Sequence, residues 1–315
     1  MTNAITAEGL VKRYGDMTAL AGVDLEVPAG KVIGVLGPNG AGKTTMVRIL
    51  GTLLRPDAGR ATVYGHDVVK DPVRVRQLIG LTGQYASVDE TLTGTENLIL
   101  LGRLLNLSKR QAKARAGELL ERFELTEAAT RPIATFSGGM RRRLDLAASL
   151  VGSPKVLYLD EPTTGLDPHT RNELWQVVRD LVAGGATVLL TTQYLEEADQ
   201  LADRITVIDK GKVVAEGRPG ELKRRIGGQI LQVRPTLPSD IDAVAGILAE
   251  LTGHTPQRDE NTGVLSVPAA DQLLVSALVR RLDGAAIAAD ELGLRLPSLD
   301  EVFLALTNVA ERKVA

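Results

Sequence analysis

The chain has no cysteine among its 315 residues. Disulfides, thiolate metal sites and a catalytic thiol are therefore excluded. Aromatic residues are scarce, at 3%, so the core must be built mainly from Leu, Val, Ile and Ala. A surplus of one charge is also missing. Lys and Arg number 37 against 39 Asp and Glu, a formal net charge of −2. Domains that bind nucleic acid are usually basic, so no nucleic-acid partner is expected. Long hydrophobic runs are lacking too: Val32–Leu36 and Val188–Leu190 are far short of the ~20 residues needed to span a bilayer. Met1 to Glu8 has no basic start followed by an apolar stretch, and no signal peptide is expected. Any membrane role must then go through a partner.

What is present is ordinary for a soluble globular protein, with 44% hydrophobic and 24% charged residues. The length fits one large domain or two smaller ones. Ile5–Leu10 and Leu20–Val27 show short β-rich alternation, with a turn at Tyr14-Gly15. Lys31–Leu36 is a compact apolar run that ends in glycines, and Lys43–Leu53 follows with a helical pattern. Val156–Leu159 ends in Asp160 and Glu161, and Thr187–Thr191 ends in Thr192 and Gln193. Arg204–Asp209 and Lys212–Glu216 form an expected hairpin around Lys210-Gly211. Strands with polar C-terminal ends, alternating with helices, predict a parallel α/β sheet with a ligand at that edge. Residues 86–149 are mostly helical in pattern, with helices expected over Asn97–Leu107 and Lys109–Phe123.

A boundary is expected near Gly227-Gly228, giving domains 1–226 and 227–315. The second part predicts strands over Gln229–Arg234, Gly263–Val267 and Ala285–Asp290. Its predicted helices are Ser239–Leu251, Ala270–Leu282 and Leu299–Thr307. That order predicts a small α+β sandwich of ferredoxin-like type. It offers no catalytic cluster of its own.

The chemistry lies in the first part. Gly37-Pro38-Asn39-Gly40-Ala41-Gly42-Lys43-Thr44-Thr45 fits the phosphate loop G-x-x-x-x-G-K-[ST], with the required strand before it and helix after it. Its glycines let the backbone wrap closely around phosphate oxygens and turn N–H groups inward. The helix N-terminus adds positive potential. Lys43 brings a full charge to the outer phosphates, and the Thr44 hydroxyl is placed to ligate Mg²⁺. ATP and Mg²⁺ are the expected ligands. Asp160 follows a buried strand, where a carboxylate would hold Mg²⁺ through water. Glu161 is next to it, where a carboxylate could polarise the attacking water. The structural alternative is an acidic pair that caps the next helix.

Phe136-Ser137-Gly138-Gly139-Met140 resembles the signature motif of ABC transporter ATPases, usually L-S-G-G-Q, and it falls between a helical insert and the strand before Asp160. The resemblance covers about residues 4–220. It implies a P-loop NTPase (RecA-like) core with an N-terminal antiparallel β part and a helical subdomain. It also implies that Tyr14 stacks on adenine, that Gln84 is the Q-loop glutamine and reaches the metal, that Asp167 belongs to the D-loop, and that Gln193 stands at the switch-histidine position. A head-to-tail homodimer would sandwich two ATP molecules, each between the phosphate loop of one subunit and Ser137, Gly138 and Gly139 of the other. These three residues precede an apolar helix and offer a hydroxyl and close-approaching N–H groups. Arg141-Arg142-Arg143, on that helix, reads as a solvated or dimer-facing surface.

Two positions depart from the family pattern. Met140 replaces the signature glutamine, and Gln193 replaces the histidine. Glutamine can donate a hydrogen bond but cannot be a cation or shuttle a proton, so Glu161 is expected to be the main base. These departures, with Thr82-Gly83-Gln84-Tyr85-Ala86, Ser87-Val88-Asp89, Thr191–Ala198 and Pro297-Ser298-Leu299-Asp300-Glu301-Val302-Phe303, look like the daunorubicin-resistance type of drug-exporter ATPase. The resemblance implies an ATP-hydrolysing subunit at the cytoplasmic face of the membrane. It would power efflux of a drug, antibiotic or lipid through a separate integral-membrane permease, docked near Gln84–Thr93. The alternatives are an importer ATPase and a soluble ABC protein of translation or repair. Against the soluble class stand the single nucleotide cassette and the compact insert between Lys43 and Ser137.

Overall fold

A computed structural model describes residues 2–83, 88–226, 229–269, 273–299 and 301–302. The chain divides into two compact units, Met1–Pro219 and Gly220–Ala315. Their junction comes one helix ahead of the Gly227-Gly228 pair.

The first unit opens with β1 (Asn3–Tyr14) and β2 (Met17–Pro28), an antiparallel pair joined at Gly15. β3 (Val32–Leu36) leads into α1 (Lys43–Leu50), which stops at Gly51, short of the expected Leu53. Residues 54–82 carry elements with no clear sequence signal: β4 (Ala58–Val63), β5 (His66–Asp67), α2 (Pro72–Leu78) and β6 (Ile79–Thr82). The helical insert holds α3 (Gly94–Leu104), α4 (Lys109–Arg122) and α5 (Gly138–Ser149). Reciprocal side-chain caps fix where two of them start: Thr93 with Glu96 for α3, and Ser108 with Gln111 for α4. The core resumes with β7 (Val156–Asp160), α6 (Pro168–Ala183), β8 (Thr187–Thr192), α7 (Leu195–Leu201), and the hairpin of β9 (Arg204–Asp209) and β10 (Lys212–Gly217). α8 (Pro219–Ile226) follows at the boundary and, from Gly220 on, belongs to the second unit.

Among the described residues the strands of the first unit form two sheets, in the orders β2-β1-β4-β5 and β10-β9-β3-β8-β7-β6. The second is parallel except for β10. Within it, β3, β7 and β8 are buried along their whole length, which is why they read as unbroken apolar runs rather than as alternation. Two cores lie on its two sides. Leu157, Leu159, Val188 and Leu190 pack with the helical insert and α6. Val156, Tyr158 and Leu189 pack with Ile33, Val35, α1 and the antiparallel sheet. β3 lies between β8 and β9, so the C-terminal ends of β3, β7 and β8 finish side by side. Leu36 is in register with Thr192, and Asp160 with Thr191. The crevice at this edge is where open α/β sheets bind ligands.

The second unit contains β11 (Gln229–Pro235), α9 (Ile241–Thr252), β12 (Gln257–Arg258), β13 (Leu265–Ala269), α10 (Leu273–Gly284) and β14 (Ala289–Arg295). The order is β-α-β-β-α-β, the sheet is β12-β13-β11-β14, and its neighbouring strands among the described residues pair antiparallel, the ferredoxin-like arrangement. Leu231, Val233, Leu265 and Val267 face Val244, Leu248, Leu278 and Leu282 across its core. The last strand begins later than Ala285. Ala285 and Ala286 instead close α10, with Ala285 N–H on the Arg281 carbonyl and Ala286 at φ +56°. The end of the expected helix Leu299–Thr307 lies outside the described residues.

Phe123 is buried at the end of α4 and belongs to the core shared by the insert and the sheet. Phe123→Ala should destabilise the first unit by about 3–5 kcal/mol, measured as a lower melting temperature against the unsubstituted chain.

Candidate active site

β3 delivers the chain into a loop pressed against neighbouring backbone. A Cβ on Gly37 would lie 2.3 Å from the Ile208 carbonyl oxygen, and one on Gly42 would lie 2.4 Å from the Ala19 carbonyl oxygen. Gly42 also has φ +107°, a conformation that favours glycine. Ala41 turns its methyl into the core, so it can offer only backbone to a ligand. Pro38, Asn39 and Gly40 form the exposed crest of the loop. No side chain among the described residues caps α1. Its leading N–H groups therefore face the loop with the positive end of the helix dipole. Thr44 and Thr45 are half-buried in this first turn.

Lys43 is 4% exposed. Its Nζ donates to the carbonyls of Gly37 (2.8 Å) and Pro38 (3.1 Å) and lies 3.4 Å from Glu161 Oε1. A buried ammonium is costly unless it is paired and hydrogen-bonded, and this one is both. The Thr44 hydroxyl is 3.4 Å from Asp160 Oδ1, and the Thr191 hydroxyl donates to the same oxygen. Glu161 stands at φ +51°, a left-handed conformation that costs a residue with a Cβ about 1–2 kcal/mol. Its N–H donates to the Thr191 carbonyl at 2.9 Å, so β8 holds the turn in place.

Phosphate-loop residues and Glu161 line one recess together with Met17 and Ala19 of β2. Tyr14 is not part of its wall. Tyr14 is exposed at the end of β1, with Lys12 Nζ 5.8 Å from its ring centre. A wider cleft of about 670 Å³ brings together Asn39, Glu161, Gln193, Gly138, Arg141 and Arg142. Gln84 lies outside the described residues.

Ser137 accepts from the Met140 N–H at 3.2 Å and caps α5. Gly138 is open to the cleft, whereas a Cβ on Gly139 would sit 2.9 Å from Thr170 Cγ2. Met140 packs its side chain against the core of the insert. Asp167 caps α6, accepting from the Thr170 N–H (3.0 Å) and hydroxyl (2.7 Å), and these bonds hold its carboxyl below the usual range.

The arginine run is a partly solvated face with ion pairs, and only Arg142 departs from it. Arg141 pairs with Glu90 at 3.0 Å and donates to the Ala134 carbonyl. Arg143 lies 3.6 Å from Glu124 and 3.8 Å from Glu173. Arg142 points inward to backbone carbonyls. Three clustered charges on a helix resemble a surface in sequence, and only the carbonyls around Arg142 draw it in.

Glu197 also went unread. It is fully buried on α7, one helical turn before Leu201 on the same inward stripe, and that spacing was the available signal. The Trp175 indole N–H donates to it at 3.4 Å, and the Thr192 and Thr163 hydroxyls face it. Burial pushes its carboxyl upward despite these partners and the Arg171 charge.

The fold and site define a phosphate-loop nucleotide-binding cassette whose parallel sheet presents a lysine, two carboxylates and a glutamine at one edge. Residues 20–164 match the family described as ABC transporter. The daunorubicin resistance ATP-binding protein DrrA3 of Streptomyces coeruleorubidus is 57% identical over 97% of this chain and 96% of its own length. The daunorubicin/doxorubicin resistance ATP-binding protein DrrA of Streptomyces peucetius is 54% identical over 98% and 93%. Among solved structures, the ATP-binding cassette MJ1267 in its ADP conformation superposes with a TM-score of 0.64 at 28% identity, over 70% of this chain and 93% of that one. The dimeric post-hydrolysis cassette MJ0796 bound to ADP and Pi gives 0.62 at 27%, over 68% and 98%. The chain belongs to the ATP-binding subunits of the ABC transporter family, and it is an ATPase of that type.

The raised Glu197 carboxyl gives a pH test. The folded chain holds this proton more tightly than the unfolded chain, whose carboxyl titrates near 4.5. The contribution to stability is full below that value and is lost as pH rises toward the higher folded value. Glu197→Gln is neutral throughout. Its melting temperature, compared with that of the unsubstituted chain from pH 4.5 upward, should therefore drift in its favour as pH rises. A difference that stays constant with pH would show that Glu197 carries no linked proton.

Proposed function

We propose that this chain is the ATP-hydrolysing subunit of a two-component exporter. It would work as a homodimer bound peripherally to the cytoplasmic face of the membrane, driving efflux of a drug, antibiotic or lipid through a separate permease. The observation that carries the reading is the convergence of Lys43, Asp160, Glu161 and Gln193 at one end of the sheet. Export, rather than import, is supported by the likeness to the resistance proteins and by 40% identity over 98% of the chain to the Nod factor export ATP-binding protein I of Ralstonia nicotianae. No helix among the described residues is long and apolar enough to cross a membrane, so transport needs a partner that does. The second unit is an accessory domain with a regulatory or dimer-stabilising part.

The residues present fit a magnesium nucleotide. A hydroxyl and a carboxylate 3.4 Å apart, Thr44 and Asp160, are hard oxygen donors of the kind Mg²⁺ takes; the family likeness adds Gln84, outside the described residues, as a further ligand. The bound ion would neutralise phosphate charge. Lys43 exchanges its loop carbonyls and its Glu161 contact for phosphate oxygens, and this frees the Glu161 carboxylate to take a proton from water. Gln193 donates a hydrogen bond to the terminal phosphate. Met17, in the wall of the recess, offers apolar surface to the base, and the family likeness adds Tyr14, outside that wall at the end of β1. Ser137, Gly138 and Gly139 of a second copy close the site from the other side, so a lone copy binds ATP but hydrolyses it slowly.

Glu161→Gln should lower steady-state turnover by about 10²–10⁴-fold, the usual contribution of a general base. Gln193→Ala removes one hydrogen bond and should cost about tenfold or less. Wild-type turnover in Glu161→Gln together with complete loss in Gln193→Ala would reverse these roles. For the permease, the docking segment includes Asp89 and Glu90. Reversing both charges should weaken capture of the permease in a pull-down while ATP affinity stays unchanged. Equal capture would sink that docking site.

A further inference from the structure

Arg142 stands on α5, in the helix that Ser137 caps. Each of its guanidinium nitrogens donates to a backbone carbonyl: Nε to Pro162 (2.6 Å), Nη1 to Gly83 (3.0 Å) and Nη2 to Glu161 (3.2 Å). These carbonyls come from two separate segments, the residue after β6 and the turn directly after β7. Bonds to carbonyls read main-chain position rather than side-chain identity. The guanidinium is a rigid planar fork with donors on every nitrogen, so it holds the two segments in one fixed relation. Burial works against its charge, and the nearby carboxylates of Asp145, Glu197 and Asp160 work for it.

The Glu161 turn is where this grip matters. Glu161 has the left-handed φ of +51°. Its N–H is held by the Thr191 carbonyl at 2.9 Å and its C=O by Arg142 at 3.2 Å. Both peptide groups that flank its Cα are therefore fixed, one by β8 and one by α5, and the direction of the carboxylate toward Lys43 follows from them. The adjacent Arg141 pairs with Glu90 at 3.0 Å. Consecutive residues of α5 thus hold position 83 through Arg142 and position 90 through Arg141.

We propose that Arg142 is a positioning residue for hydrolysis: it locks the strained Glu161 peptide to the signature helix, so that α5 sets the aim of the carboxylate. The proposal rests on Glu161 being the general base. A shift of α5 would re-aim Glu161 without any change in the phosphate loop, and the effect would fall on turnover rather than on nucleotide binding.

The test uses the full-length chain with Arg142→Gln, Arg142→Lys, Glu161→Gln and the double variant Arg142→Gln/Glu161→Gln. The readouts are ATPase kcat and KM, equilibrium binding of a fluorescent ATP analogue, and thermal melting. Arg142→Gln should lower kcat by about tenfold to a hundredfold, the cost of a small misplacement of a catalytic group, while affinity for the analogue stays within about twofold. Arg142→Lys keeps the charge but reaches fewer carbonyls, so its kcat should fall between the two. In the Glu161→Gln background, Arg142→Gln should have no further effect on the residual rate. Wild-type kcat in Arg142→Gln with an inactive Glu161→Gln would overturn the positioning role and leave the base assignment standing. An active Glu161→Gln would instead remove the base assignment on which the role depends. Parallel loss of kcat and affinity would overturn the proposal as general damage. If melting shows that Arg142→Gln does not fold, wild-type kcat in a folded Arg142→Lys overturns it as well.

Discussion

The buried ammonium of Lys43 sets conditions for the rest of the cassette. A charge at 4% exposure must be surrounded by oxygen, and the chain supplies that oxygen from two places. The loop turns two of its own carbonyls inward, which requires a backbone tight enough that a Cβ at Gly37 or Gly42 would collide with neighbouring carbonyls. The turn after β7 supplies Glu161, which reaches Lys43 from a left-handed conformation. That turn needs anchors of its own, and they come from β8 through Thr191 and from α5 through Arg142. One cation therefore links the loop, the edge of the sheet and the signature helix.

Much of this was legible in the sequence because it depends on local rules. The phosphate loop is contiguous, its glycines answer to backbone geometry, and the strand before it is a plain apolar run. Asp160 and Glu161 follow another such run. The start of α4 was placed correctly at Lys109, after the cap of Ser108 with Gln111, whereas α3 starts at Gly94, three residues before the expected Asn97, because Thr93 with Glu96 caps it there. The second unit was readable in part: its alternating strands and helices carry periods of their own, but β12, two residues long, has none and was missed. The start of β14 was placed too early, since Ala285 and Ala286 suit either a strand or a helix end and the local bond to Arg281 decides between them.

The features that stayed hidden depend on partners distant in the chain. Residues 54–82 form short elements stabilised by pairing with β1 and β7, so no window of the sequence announces them. Met140 departs from the glutamine of the family pattern, and its side chain joins the core of the insert. Arg142 and Glu197 are charged residues whose inward orientation follows from the carbonyls and hydroxyls around them. Composition counts such residues as surface. Burial alone would count them as defects, and only their hydrogen-bond partners give them a reason to be where they are.

The division of the parallel sheet between two cores has a consequence for how this protein can vary. In β7, Val156 and Tyr158 belong to one core and Leu157 and Leu159 to the other, and the strand ends on the residue that faces Thr44. Insertion of one residue within the strand would exchange the two sets between cores and turn Asp160 away from its partners in the same step. The length of this strand is therefore held by packing on two sides and by chemistry at its end. Drift in length has to be absorbed elsewhere, in the surface connections between elements, where neither core nor carboxylate keeps count.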